Sequence, residues 1–154
     1  MENSVLGSFG RVWGRVTGSE PLMPDEAERL RVFIESSLCQ ERLLASLSRA
    51  LPSVSRQLGA MAGELRRLAA ELKLERYLLT GESFRDLPSC ELPAGRLASL
   101  RRAYVAAGES ADAFAAAGAS VLCPRLRRIY TEAAAGAERR GDALRGLIAR
   151  ALGQ

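Results

Sequence analysis

Apolar residues return every three or four positions through four long stretches of the chain, a spacing that keeps one face of a helix dry. The first stretch opens with "MPDEAERLRVF". Pro24 suits a first helical turn, and Asp25 and Glu26 favour the positive end of the helix dipole. Its apolar stripe is Leu30, Phe33, Ile34, Leu38, Leu44, Leu47 and Leu51, and Pro52 stops it. The second runs from about Ser55 to Thr80 on Leu58, Met61, Leu65, Leu68, Leu72 and Leu79, with Gly81 placed for a left-handed C-terminal cap. The third, from about Arg96 to Ala117, carries Leu97, Leu100, Tyr104, Ala107, Ala111 and Phe114. After the break "GASVLCP", the fourth runs from Arg125 to Leu152 on Ile129, Tyr130, Ala133, Ala137, Leu144 and Ile148. Residues 1–23 hold four glycines and little periodicity. They read as an irregular lead-in from which Trp13 packs on the helices. The expected organisation is that lead-in followed by an all-α four-helix bundle over residues 24–154.

One link is longer than the others. The second helix is roughly 39 Å long at 1.5 Å per residue. The segment from Glu82 to Gly95 can stretch about 46 Å at ~3.3 Å per residue, enough to run the length of that helix. The expected topology is therefore up-down-down-up, with a crossover between the second and third helices.

Composition narrows the chemistry. The chain has 154 residues, 47% apolar and 26% charged, with 5% aromatic. It is long enough to bury a core and too apolar to be disordered. The net charge is +4, and Lys73 is its one lysine among arginines. Clusters such as Arg66–Arg67, Arg101–Arg102, Arg125 with Arg127 and Arg128, and Arg139–Arg140 could touch phosphate. Interleaved glutamates and few aromatics read instead as solvated helix faces, so a nucleic-acid surface is not expected. Cys39, Cys90 and Cys123 are widely spaced and form no C-x-x-C pair, so neither a zinc site nor a redox dithiol is expected. No run suits a signal peptide or a membrane span. A reduced, cytoplasmic protein is the expectation. There is no histidine, which removes the commonest general base and the commonest nitrogen ligand for transition metals. No Ser-His-Asp set, glycine-rich phosphate loop or pair of acids with a base is present.

Four strings in order carry a resemblance. They are "FIESSLCQERLLASLSRALPS", "LRRLAAELKLERYLLTGESF", "LASLRRAYVAAGESADAFAAAGA" and "LRRIYTEAAAGAERRGDALRGLIARAL". Together they resemble the helices of ferritin-like proteins of the rubrerythrin type. The resemblance implies a di-iron or di-manganese centre. Two helices would each supply a glutamate, and the other two a Glu-x-x-His, whose residues share one helix face. Carried over, the helix-one ligand falls at Ser37. Counting back from Thr80-Gly81 puts the helix-two pair at Leu65 and Leu68. The helix-three glutamate falls at Ala107, and the helix-four pair at Ala137 and Arg140. Every ligand is replaced.

The replacements suggest a filled site, with leucines at 65 and 68 opposite alanines at 107 and 137. "ELRR" (Glu64 to Arg67) could pass for an altered motif, but Leu65, Leu68 and Leu72 centre the stripe and leave Glu64 on its flank. Glu41 and Arg140 lie on the stripes of the first and fourth helices. They either form a buried ion pair or both reach water at the stripe edge. The expected protein is a non-catalytic ferritin-like bundle without a di-metal centre or cofactor, acting by binding or assembly and pairing as a homodimer. The alternative is a metal-handling or oxidoreductase protein with a non-standard carboxylate set such as Glu41, Glu64, Glu109 and Glu138.

Overall fold

Each apolar stretch folds as one α-helix in the computed structural model, which describes residues 22–153. The helices are α1 (Leu22–Ala50), α2 (Ser55–Thr80), α3 (Arg96–Ser120) and α4 (Pro124–Leu152), with a short 3-10 turn at Pro52–Val54. No strand occurs among the described residues. The described residues are thus all-α, with four α-helices. Helix α1 begins at Leu22, ahead of the expected boundary at residue 24, and Trp13 lies outside the described residues. The chain divides into two compact units. One combines the described residues 22–39 with Leu65–Ser89, and the other combines Gln40–Glu64 with 90–153.

In the first unit α1 buries Leu30, Phe33, Ile34 and Ser37 and α2 buries Leu65, Ala69 and Leu72, and each helix also buries one carboxylate, Glu26 and Glu75. The expected stripe named Leu68, but Leu68 is only half-buried. Angle alone does not separate the two, since each lies about 40° from one of Leu65 and Leu72 and about 60° from the other, and the packing of the unit takes in the smaller Ala69. Gly81 adopts the left-handed conformation, with φ 74°. Its N–H donates to the Tyr77 carbonyl at 2.7 Å, while the Thr80 hydroxyl donates to the Arg76 carbonyl at 2.9 Å. The helix ends there because its last carbonyls are satisfied. Phe84 then sits beside the helix the chain has just left. Its ring centroid is 5.8 Å from Lys73 Nζ and 5.9 Å from Arg76 Cζ, two cation–π contacts.

The second unit holds the turn between α1 and α2. There the Ser48 hydroxyl donates to the Ser55 carbonyl at 3.0 Å and lies 2.9 Å from the Ser55 hydroxyl. Helices α3 and α4 form an antiparallel hairpin. A Cβ placed on Gly118 would stand 3.1 Å from Thr131 Oγ1, so the helices pass too closely there for a larger residue without a shift. The Phe114 and Tyr130 rings meet at 6.0 Å. Farther along, Ala107 Cβ would lie 3.8 Å from a Cβ on Gly141. Small buried residues allow this approach: Ala103, Ala107, Ala111 and Ala117 on α3, and Ala133, Ala134, Gly136 and Ala137 on α4. Tyr104, expected on the buried stripe, is instead exposed. An interface this tight takes Ala103 in its place, and the phenol keeps its polar tip in water.

Candidate functional site

The six positions assigned from the resemblance divide between the units. In the first, Ser37 and Leu65 are buried and Leu68 is half-buried. In the second, Ala107, Ala137 and Arg140 are buried. A di-metal centre needs several carboxylates to neutralise and bridge two hard cations. These residues do not fit it, since they offer one hydroxyl and a guanidinium that carries positive charge itself. The alternative carboxylates do not gather either. Glu64, Glu109 and Glu138 are exposed and Glu41 is half-buried. Among the described residues no three His, Cys, Asp or Glu side chains form a group that could hold a metal ion.

The second unit instead centres on a buried charge. Arg140 falls on a regular stripe with Tyr130, Ala133, Ala137, Leu144 and Leu147, all buried. That spacing turns its side chain inward, and the residue keeps 5% of its surface. Its Nη1 lies 3.4 Å from Glu64 Oε1, a long ion pair whose carboxylate side chain is 46% exposed. Glu41 is not its partner. Nε and Nη2 are buried and find no hydrogen-bond acceptor in the protein. Gly136 lies one turn before Arg140, and a Cβ there would stand 3.4 Å from Arg140 Nη1 and 3.6 Å from Arg139 Nη2. Burial pulls the Arg140 pKa below the usual guanidinium value. The Glu64 charge and hydrogen bond work against that shift, and the nearby Arg139 charge adds to it. The group remains protonated at any physiological pH. The locality thus holds two guanidiniums and one half-exposed carboxylate.

A second buried polar contact joins α1 to α3. Gln40 Nε2 donates to Ser110 Oγ at 2.7 Å, with both residues buried. Sequence reasoning placed Glu41 on the α1 stripe, whereas the structure buries Gln40 and leaves Glu41 at its edge. Helical geometry separates them little, for each lies about 40° from one of Ser37 and Leu44 and about 60° from the other. Polarity decides, because a neutral amide with a partner is far less costly to bury than a carboxylate. The readable signal was a pair of polar residues, Gln40 and Ser110, each three residues beyond a stripe position at Ser37 and Ala107.

The cysteines correct the expectation of a fully reduced chain. Cys39 and Cys90 are disulfide-bonded, and Cys123 is an exposed free thiol. The sequence alone did not show that either is bonded, since disulfide formation depends on distance in space rather than along the chain. No described helix is long and apolar enough to cross a membrane. No protein-family model matches the chain, and no curated protein or solved structure matches it either.

Proposed function

We propose that the protein is a ferritin-like up-down-down-up bundle whose di-metal centre has been filled, and that it works by binding or assembly without redox catalysis. The carrying observation is Arg140, a permanent buried cation at the position where the resemblance puts a metal-binding histidine. It opposes a metal cation by charge and engages Glu64, a carboxylate the alternative metal set would need. Phe84 supports the crossover, because its place beside Lys73 and Arg76 turns the link back along α2.

Assembly is proposed as a homodimer, since the resemblance implies pairing through helix faces. Leu74, Tyr77 and Leu78 offer such a face on α2, being about half exposed at positions that share one side of the helix. The disulfide-bonded state of Cys39 and of Cys90 favours an oxidising compartment over the cytosol proposed from the sequence. The thiol state of protein trapped in cells decides between them.

Titration of the purified protein with iron(II) and manganese(II) tests the central reading. The expected result is no stoichiometric metal by elemental analysis and an unchanged melting temperature. Two metal ions per chain with a raised melting temperature would establish the carboxylate-site alternative.

A further inference from the structure

In a guanidinium, the N–H of Nε and one N–H of Nη2 point the same way and form a fork that matches the two oxygens of a carboxylate. This chain uses that fork elsewhere. Arg29 gives Nε at 3.0 Å and Nη2 at 2.5 Å to the two oxygens of Glu26. Arg31 gives the same two atoms to the two oxygens of Glu28, with Nε at 2.9 Å. On Arg140 the same two atoms are buried and lack an acceptor in the protein. Leaving both donors unsatisfied in an apolar setting is destabilising, and native structures rarely do so without a reason.

We propose that the Nε–Nη2 edge of Arg140 is a binding site for the carboxylate of a small aliphatic monocarboxylate. Charge points to an anion, because Arg139 and Arg140 stand over Gly136 and Arg140 has the half-exposed Glu64 as its counter-charge. Shape points to a planar two-oxygen acceptor, which the fork grips in two places. The neighbours on the buried stripe, Ala137 and Leu144, and the Ala107–Gly141 approach beside it are small and apolar. They suit a short hydrocarbon tail and would leave a second charged group on the ligand unsolvated. Glu64, the solvent-exposed partner of Nη1, marks the side from which the ligand enters. The inference stands apart from the proposed loss of a metal centre, for it concerns an anion.

The test uses the full chain with sodium acetate and sodium butyrate, against sodium chloride at equal ionic strength. Two readouts apply: the melting temperature, and the NMR signal of the Arg140 Nε–H, assigned from its loss in R140K. Both carboxylates are expected to shift that signal saturably. At about 100 times Kd they raise the melting temperature by roughly 5–10 °C, and chloride does neither. R140K keeps a positive charge but lacks the fork, so it stays helical by circular dichroism and loses the carboxylate response. An Nε–H signal unmoved by both carboxylates overturns the proposal. So does a response of equal size to chloride, or a thermal response that survives in R140K. Should R140K fail to fold, the wild-type NMR titration alone decides.

Discussion

Arginines in the two units solve one electrostatic problem in opposite ways. On the first half of α1, Arg29 finds Glu26 three residues back, and Arg31 finds Glu28 three back and Glu35 four ahead. Helix geometry brings such partners together, and the pairs around Arg31 keep about a third or more of each side chain in water. On α4, Arg140 has Gly136 and Ala137 behind it and Ala143 and Leu144 ahead, so its own helix offers no carboxylate. Its partner, Glu64, comes from α2, and at 3.4 Å it engages only one edge of the guanidinium. The arrangement around Arg31 is local, wet and complete. The second is long-range, dry and half-finished. A charge left in that second state is held there by the packing around it, since a surface position would be less costly.

The largest expected effect follows from removing the half-finished pair's acid. Glu64→Ala leaves the Arg140 cation buried without its carboxylate and should destabilise the protein by about 2 kcal/mol. That lies below the usual loss for a broken buried pair because water already reaches Glu64. The matching change in the wet set, Glu35→Ala, should cost about 0.5 kcal/mol or less. Urea midpoints of both variants check the contrast. Equal losses would mean that Arg140 is as well solvated as Arg31, and the comparison would collapse.

Removing the cation instead should have the opposite sign. Arg140→Met keeps most of the volume, deletes two buried donors that lack acceptors, and releases Glu64 to water. The expected gain is about 1–2 kcal/mol in carboxylate-free buffer, as for other buried ion pairs replaced by hydrocarbon. For a chain of this size that is roughly 2–8 °C in melting temperature. A loss of stability in Arg140→Met would show that the guanidinium is better satisfied than its geometry indicates.

The same distinction between local and distant partners governs what could be read in the sequence. Helix boundaries were legible because Pro52, Gly81 and Pro124 act on their immediate neighbours. The inward turn of Arg140 was legible too, since its stripe is a property of α4 alone. Its partner was not. Glu41 and Glu64 were both available on paper, and only the packing of separate segments in space selects Glu64. The hydrogen bond between Gln40 and Ser110 was hidden for that reason. The substitution of Ala69 for Leu68 and of Ala103 for Tyr104 on the buried faces has a related origin. Periodicity names a face to within about 60°, and the closeness of the neighbouring helix decides which residue at its edge goes in.

The smallest effect sharpens the wet side of the comparison. The hydrogen bond from Arg31 is the main reason that the Glu28 carboxyl titrates below the usual range. Burial opposes the shift, and the charges of Arg31 and Arg76 reinforce it. An acid whose pKa is depressed by folding contributes stability that is fully present above its unfolded pKa. That contribution is lost as the pH falls through the lower, folded value. Glu28→Gln should therefore lower the melting temperature slightly at pH 7, and the difference from wild type should shrink as acid protonates the native carboxyl. High salt should shrink it as well, because the pair is exposed to water. The deficit of Glu64→Ala should respond far less to salt, since the cation it strands is buried. Melting curves of both variants at low and high ionic strength make that comparison, and equal salt sensitivity would place the two arginines in the same dielectric environment.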